Sequence, residues 1–344
     1  MKGALSLLAF SVSITCVGAP VVGTVQDVPG YNSWPMVQAL GNRLVCAYSR
    51  GTAHWIEDPV RGVFVRHSDD GGRTWSSESQ IVDYEKTGEV TIGKGLDESG
   101  AMLLWVRCWG PGKHHELYRS ADGEKFEKFA VPTLDPVPMQ ITDIIHVPGV
   151  GMMSLWFSDG YRADKDKAWG TLVSADGGRT WTQRTVEKGL KRADWPTEPS
   201  GVWLGNGRVL VIARSEADTR HQFQLVSTDS GKTWRKFRTN ITDVAESTPS
   251  LIYDAASGRV FNYYYQRGAK KLKRRVAKAD FIFEHPTEWP EPEVLFEGRE
   301  KRAYDAGNVN ATTLGDRHCA ATYTGSETDT SVVVVIAETP GRDG

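Results

Sequence analysis

One short motif, Ser-x-Asp-x-Gly-x-Thr-Trp, recurs along the chain at regular distances. Complete copies end at Trp75, Trp181 and Trp234, and a shortened copy ends at Phe126. A fifth position, Trp289, keeps only the aromatic residue, and successive aromatic residues are 51 to 55 residues apart. In such a motif the Asp accepts backbone hydrogen bonds inside a hairpin turn, and the Gly adopts positive φ. The aromatic ring fills the space between neighbouring sheets, so the motif predicts structure and not catalysis.

A second repeat, an apolar strand followed by a glycine turn and another apolar strand, occurs six times. Its turns lie at Gly41, Gly100, Gly151, Gly207, Gly258 and Gly315. Each of these hairpins precedes a motif-bearing hairpin, which gives six four-stranded units. Units that cannot bury both faces alone must stack, and radial stacking closes a ring. The sequence therefore predicts an all-β, six-bladed propeller of four-stranded antiparallel blades, whose last blade is completed by residues 21–28.

The N-terminus has the pattern of a secretory signal peptide. Lys2 precedes an apolar run over residues 4–15, and a small-residue end follows at Ala19. The run is too short to span a bilayer comfortably. We therefore expect residues 1–19 to be removed, residues 20–344 to form one propeller domain, and the protein to be secreted or periplasmic without a membrane span. Cys16 leaves a lipoprotein as the alternative.

Charge and cysteine content exclude several classes of function. The formal net charge is −2, so no overall positive field attracts nucleic acid. Cys46, Cys108 and Cys319 are an odd number without close spacing, which predicts buried free thiols and neither a disulfide framework nor a zinc site. The adjacent His114 and His115 lack a third ligand at a useful spacing and are interpreted as surface residues. We expect no metal and no cofactor.

One face of the predicted ring collects polar side chains. The starts of the first strands, the ends of the second strands and the loops after them lie on the side opposite the motif turns. Arginines end the second strand in four units, at Arg50, Arg107, Arg214 and Arg267. Planar guanidinium groups suit a carboxylate, so this cluster indicates an anionic ligand. The same face carries further candidates, namely Trp34, His54, Glu57, Asp58, Asp143, Glu198, Tyr304 and Asn308.

The motifs, their spacing and the six units resemble the sialidase (neuraminidase) superfamily of Asp-box propellers over essentially the whole mature chain. Sialidases hold the sugar carboxylate with three arginines. The segment from Glu198 to Arg214 is similar to the one that carries the second of them. The resemblance assigns the third to Arg267, with Arg274 in reserve. It assigns the acid/base role to Asp58, with Glu57 or His54 as alternatives.

Two positions depart from the family pattern. The segment around Trp34 has no arginine where the family has its first, and Asn308 stands where the family has its nucleophilic tyrosine. An amide cannot attack an anomeric carbon. Either Tyr304 or Tyr265 supplies the phenol from nearby, or water attacks directly with inversion, or the protein acts on another acidic sugar or only binds it. In each case Arg107 is able to replace the missing carboxylate ligand.

The resemblance implies a secreted exo-acting glycoside hydrolase that releases a terminal sialic or related acidic sugar from glycans. Arg214, Arg267 and Arg107 or Arg50 would bind the carboxylate, and Glu198 would orient Arg214 or activate a neighbouring nucleophile. Two alternatives remain, a noncatalytic glycan-binding propeller and a hydrolase or lyase acting on uronate-containing polysaccharide. Sialylated or other acidic glycans are the expected partners.

Overall fold

The computed structural model describes residues 19–55, 57–162, 165–244 and 246–339. The predicted signal peptide, apart from Ala19, lies outside these residues. No helix within these ranges is long and apolar enough to cross a membrane. The helical segments are α1 (Ala279–Glu284) and two 3-10 turns, Arg192–Asp194 and Ala303–Asp305.

The strands follow one another in six runs along the chain. The first run holds β1 (Val21–Gln26), β2 (Tyr31–Leu40), β3 (Arg43–Gly51), β4 (Gly62–Ser68) and β5 (Ser79–Val82). The second holds β6 (Gly88–Leu96), β7 (Met102–Trp109), β8 (Lys113–Ser120) and β9 (Glu127–Ala130). The third holds β10 (Pro138–Ile141), β11 (Ile145–Val147), β12 (Gly151–Ser158), β13 (Trp169–Ser174) and β14 (Thr182–Glu187). The fourth holds β15 (Pro196–Gly205), β16 (Arg208–Ser215), β17 (Gln222–Ser227) and β18 (Arg235–Arg238). The fifth holds β19 (Ser250–Asp254), β20 (Arg259–Gln266), β21 (Lys271–Lys278) and β22 (Glu293–Glu297), and the last holds β23 (Ala306–Leu314), β24 (Arg317–Ser326) and β25 (Asp329–Glu338).

The hydrogen-bonded sheets form an all-β, propeller-like arrangement. Runs two to five each form a separate sheet, three of them four-stranded and one five-stranded because β11 also pairs with β12. The first and last runs share one eight-stranded sheet. The sheets therefore show four separate blades and not the six predicted. The physical reason is a parallel pairing of Tyr31 with Thr330, which joins β2 to β25.

The N-terminal strand completes the last run of strands, as the sequence predicted. Strand β1 pairs antiparallel with β25, from Val21 opposite Ile336 to Gln26 opposite Val332. The first and the last strand of the described residues thus lie side by side in one sheet. Around the axis the inner strands also contact one another, β2 with β6, β6 with β10, β11 with β15, β15 with β19, β19 with β23, and β23 with β2.

The repeated motif forms the turn predicted for it. In the first copy Asp70 accepts hydrogen bonds from the backbone N–H groups of Arg73 and Thr74 at 3.0 and 2.9 Å. The Ser68 hydroxyl donates to Asp70 and accepts from the Gly72 N–H, both at 2.8 Å. Because these bonds satisfy the turn internally, the same geometry recurs in the two other complete copies.

The motif aromatics pack between sheets. The Trp181 ring meets Trp105 edge to face at 5.1 Å, and the Trp234 ring meets Trp169 at 5.8 Å. Each pair joins a motif in one sheet to the core strand of the preceding sheet, so the hydrophobic core lies between blades. The fifth position differs, since helix α1 replaces the turn there. The buried Trp289 still reaches the preceding sheet, where its indole N–H donates to Gln224 at 3.0 Å.

Candidate active site

Four side chains enter the centre of the ring from strained backbone. Trp34, Glu198, Glu246 and Asn308 have φ values between 43° and 50°, although none is glycine. Strand register shifts at three of them, in β2, β15 and β23, because the strand bulges there. Positive φ in a residue with a Cβ costs about 1–3 kcal/mol, and such strain concentrates at functional sites.

These four residues line one pocket of about 330 Å³. It gathers eight of the residues predicted from the sequence, namely Trp34, His54, Arg107, Glu198, Arg214, Arg267, Tyr304 and Asn308. Its wall is completed by Val90, Ile92, Met139, Gln140, Tyr161, Arg192, Glu216 and Glu246. Four arginines and three glutamates line it, so one positive charge remains when all are ionised. The pocket therefore favours an anion.

Among the described residues, two of the buried arginines are bonded to neutral groups and not to a carboxylate. Arg267 donates to the carbonyl oxygens of Ala306 (2.6 Å) and Glu246, and to Asn308 Oδ1 at 3.0 Å. Arg107 donates to the Met139 carbonyl at 3.1 Å, and its Nε is buried without a partner. Burial, together with the charge of nearby Arg61, lowers the pKa of Arg107 to about 10. These two cations are the ones that a ligand carboxylate would neutralise.

Arg214 differs, because two carboxylates already hold it. Its Nη1 lies 3.2 Å from Glu198 and its Nε lies 2.9 Å from Glu216. Burial would lower the pKa of Arg214, but the charges of Glu198, Tyr161 and Glu216 raise it. Burial raises the pKa of Glu216, and this effect exceeds the opposing charge of Arg214. The pocket thus contains a carboxyl group that retains its proton at higher pH than usual.

Tyr304 is paired with a carboxylate at the pocket mouth. Its hydroxyl donates to Glu246 Oε2 at 2.8 Å, and the Arg267 guanidinium lies 5.2 Å from the centre of its ring. Burial and the hydrogen bond to Glu246 raise the pKa of Tyr304. Burial would also raise the pKa of Glu246, but the Tyr304 hydrogen bond and the charges of Arg214 and Arg267 lower it. Glu246 is therefore an ionised acceptor for the phenol proton.

His54 is held neutral between two aromatic rings. It stacks against Trp34 at 5.2 Å and Tyr304 at 4.9 Å between ring centres. Burial and, to a smaller extent, the charges of Arg267, Arg61, Arg214 and Arg107 lower its pKa to about 3. The hydroxyl of Tyr31 donates to the Tyr304 carbonyl at 2.6 Å and lies 2.7 Å from His54 Nδ1. Since that hydroxyl has one proton, Nδ1 donates to it and Nε2 keeps the lone pair.

Asp58, to which the resemblance assigned the acid/base role, lies outside the pocket. It is 1% exposed and accepts hydrogen bonds from the N–H and hydroxyl of Thr52 at 2.5 and 2.8 Å. Burial would raise its pKa, but these bonds and one from Val60 lower it. Arg61, which stacks over Trp34 at 4.6 Å, lies 3.7 Å from it. Asp58 is therefore buried within the loop that carries His54, and its hydrogen bonds hold that loop together.

Three further candidates also lie away from the pocket. Arg50 is paired with Glu78 at 2.6 Å, and Glu57 is an exposed partner of Lys113 at 3.6 Å. Asp143 accepts hydrogen bonds from the Lys94 N–H and the Asn310 amide, each at 3.0 Å. Each is already engaged by a neighbouring group.

The reserve candidates are engaged elsewhere too. Arg274 bonds Glu293 at 2.5 Å, and the Tyr265 hydroxyl bonds Glu300 at 2.7 Å. Neither lines the pocket. Two tyrosines, Tyr161 and Tyr304, line the pocket, and Tyr304 is the one that donates a hydrogen bond to a carboxylate there.

Other residues of the pocket were assigned no role from the sequence. Glu246 lies just before the fifth run, as Glu198 lies near the start of the fourth, and this position marks it as facing the same side. Glu216 follows Arg214 by two residues, on the same side of its strand. Tyr161 and Arg192 come from loops, where no periodic pattern marks them.

Several solved structures have a fold similar to that of this chain. A protein of unknown function from Dyadobacter fermentans has a TM-score of 0.78 at 16% identity, over 94% of this chain and 98% of that one. A variant of the NanB sialidase from Streptococcus pneumoniae has a TM-score of 0.69 at 12% identity, over 93% and 70%. The Trypanosoma rangeli sialidase solved with sialic acid has a TM-score of 0.67 at 13% identity, over 96% and 59%. At such identities the likeness shows the fold alone.

Sequence comparison identifies the family. No curated protein matches the chain. The model of the BNR repeat-like domain matches residues 42–301, which is more than half of the chain and includes every complete copy of the motif. The chain therefore belongs to the BNR repeat-like domain family.

Proposed function

We propose that the protein is an exo-acting glycoside hydrolase of sialidase type, which releases a terminal acidic sugar, sialic acid first among the candidates, from glycans. The observation that carries this proposal is the 2.8 Å hydrogen bond from the Tyr304 hydroxyl to Glu246 beside Arg267. A phenol, an ionised acceptor for its proton and a cation without a carboxylate partner thus share one pocket.

The arginines fix the sugar before any bond changes. Arg267 and Arg107 bind its carboxylate, because neither has a carboxylate of its own and burial strengthens charge-assisted hydrogen bonds. Arg214 contributes position more than charge, since Glu198 already balances its charge. The strained backbone of Asn308 holds its amide against Arg267.

Tyr304 then acts as the nucleophile that Asn308 cannot be. Its oxygen attacks the anomeric carbon while Glu246 accepts the phenol proton, and the glycosidic C–O bond breaks. Glu216, whose pKa is raised, gives its proton to the leaving oxygen. Water then attacks the anomeric carbon and loses a proton to Glu216, while the bond from that carbon to the Tyr304 oxygen breaks and the sugar is released. The Tyr304 oxygen regains its proton from Glu246, so the anomeric configuration is retained.

Turnover of a sialoside by Tyr304→Phe tests the proposal. We expect kcat on 3′-sialyllactose to fall on the order of a thousandfold or more, while sialic acid binding measured by calorimetry changes by about threefold or less. Tyr253→Phe, at a tyrosine outside the pocket, is the matched control and keeps wild-type rates. Full turnover by Tyr304→Phe would reject the nucleophile. Sialic acid binding without turnover by the wild type would favour the noncatalytic glycan-binding propeller.

The neutral His54 supports a second candidate, a lyase acting on uronate-containing polysaccharide. Such a reaction needs a cation on the uronate carboxylate and a neutral base for the adjacent C–H proton, and Arg267 and His54 line the same pocket. A lyase would form an unsaturated product that absorbs in the near ultraviolet, whereas hydrolysis would not. Incubation with uronate polysaccharides and with sialosides separates the two reactions.

The proposal also covers the number of blades and the export of the protein. We propose that the eight-stranded sheet serves as two blades, giving six in all, since one parallel residue pair joins its halves and the inner strands contact one another in a ring. The N-terminal pattern supports export to the periplasm or the medium, with sialylated or other acidic glycans as partners. N-terminal sequencing of the exported protein tests cleavage near Ala19.

A further inference from the structure

A second group of chemically reactive side chains lies on one face of the second sheet. Cα pairing in the ladder places Glu89 of β6 opposite Cys108 of β7, and Cys108 opposite His114 of β8. Directly opposed residues share a face of a sheet, and Glu116 lies on that face because it is two residues from His114. Arg107, next to Cys108, faces the other way. The group is therefore separate from the pocket.

The donor atoms of this group are close together. One ligand atom each of Cys108, His114 and Glu116 lies within 4.8 Å of the others, and His114 Nε2 is 3.2 Å from Glu116 Oε1. Around a tetrahedral zinc ion, ligand atoms lie about 2.0–2.3 Å from the metal and therefore roughly 3–4 Å from one another. Small side-chain shifts would bring the three atoms to that spacing.

Glu89 is an independent sign that a cation belongs here. It is 0% exposed, and its Oε1 has no hydrogen-bond partner, while Oε2 accepts a 3.3 Å bond from the Tyr84 N–H. A buried carboxylate oxygen without a donor is costly, and native structures rarely leave one. Its pairing with Cys108 in the strand ladder places Glu89 on the face that carries the group.

We propose that Cys108, His114 and Glu116, with Glu89 as the fourth ligand, form a binding site for a divalent cation of the zinc class. Mixed sulfur, nitrogen and oxygen donors suit zinc and not calcium or magnesium, which take oxygen ligands. His114 is 42% exposed, which gives an ion a path from solvent. The structure differs from the sequence expectations here, because His115 is buried and the further ligands of His114 come from β6, β7 and its own strand.

Lys128 competes with the metal for this site. Its ammonium lies 2.7 Å from Glu116 Oε1, and its side chain is 43% exposed. The ammonium supplies part of the positive charge that a divalent ion would supply. The lysine is free to swing into solvent when a metal binds, so its removal should tighten metal binding.

Titration of the reduced full chain with Co²⁺ tests the proposal. A thiolate bound to Co²⁺ gives a near-ultraviolet charge-transfer band, which we expect to saturate at one ion per chain and to disappear when Zn²⁺ is added. Cys108→Ser should abolish the band, and His114→Ala should weaken affinity on the order of 100-fold. Lys128→Met should strengthen it. Cys319→Ser and His285→Ala are the matched controls and should behave like the wild type.

Thermal unfolding provides the second readout and guards against misfolded variants. Zn²⁺ should raise the melting temperature of the wild type and of Cys319→Ser, but not of His114→Ala, whose half-exposed side chain is removable without disturbing the core. The proposal is overturned if the band persists in Cys108→Ser, if His114→Ala binds as tightly as the wild type, or if no Co²⁺ or Zn²⁺ binds at all.

Discussion

At the scale of single residues, the partners of each arginine decide what it is able to bind. The sequence placed four arginines at equivalent strand ends, and Arg107, Arg214 and Arg267 reach the pocket. Arg50 does not, because Glu78 lies 2.6 Å from it. That partner follows Arg50 by 28 residues, past the motif turn, so the pairing depends on a register that no local pattern reveals. The position of each arginine at a strand end was predictable from the sequence, but the carboxylate that pairs with it was not.

The pKa of His54 predicts a pH dependence of stability. Its ordinary value is 6.5 and its folded value is about 3, so between these values the unfolded chain binds a proton that the folded chain refuses. Above pH 6.5 His54 is neutral in both states and does not affect the free energy of unfolding. As the pH falls from 6.5 toward 3, this free energy decreases by about 1.4 kcal/mol per pH unit.

Comparison of the wild type with His54→Gln isolates this contribution. The difference between their free energies of unfolding, measured in urea between pH 7 and pH 3.5, should change with that slope. A difference that stays constant with pH would mean that His54 is protonated in the folded protein.

The loss of kcat on replacement of Glu216 should be larger for a substrate with a poorer leaving group. A glycan hydroxyl needs a proton as it departs, whereas a nitrophenolate does not. We expect Glu216→Gln to lower kcat on 3′-sialyllactose by about 10²–10⁴-fold, with a much smaller loss on the nitrophenyl sialoside. Equal losses on both substrates would instead assign Glu216 to holding Arg214.

At the scale of elements, the loop between β3 and β4 shows where sequence reasoning failed. Asp58 was expected in the site because it lies in the loop that faces the pocket. Short-range hydrogen bonds from Thr52 and Val60 turn it inward instead, and His54 lines the pocket. The motif turns were predictable because their bonds close within a few residues. The loop was not, because the side chain of buried Arg61, just before β4, organises it by donating to the Trp55 carbonyl.

Substitution of Asp58 should therefore affect stability more than chemistry. Asp58→Asn leaves the buried Arg61 charge without its carboxylate and should lower the free energy of unfolding by about 3 kcal/mol. Activity below the melting temperature should survive, with an altered KM as His54 loses its support. Denaturant unfolding and turnover measured on the same preparation check both statements. A stable but inactive Asp58→Asn would return the acid role to Asp58.

At the scale of the whole molecule, closure depends on the N-terminal strand. Strand β1 covers the edge of β25, and Tyr31 with Thr330 joins the two ends of the chain. The sequence predicted this closure because the last run lacks a full second hairpin. It did not predict the shared eight-stranded sheet, which arises from a single residue pair with no sequence signal.

Removal of β1 should destabilise the entire ring. Deletion of residues 19–26 exposes the edge of β25 and removes the buried side chain of Val25 from the core. We expect the melting temperature to fall by about 5 °C or more. Replacement of the exposed Val21 and Val22 by Thr keeps the backbone pairing and serves as the control. An unchanged melting temperature in the deletion would show that closure does not depend on β1.

Proton NMR of a sialoside during digestion by the wild-type protein tests the central claim most directly, because it reports turnover and stereochemistry together. A Tyr304 nucleophile requires two displacements, so α-sialic acid should appear first and convert to the β-anomer only by later mutarotation. Release of the β-anomer first, or no release from any sialoside, would contradict the account.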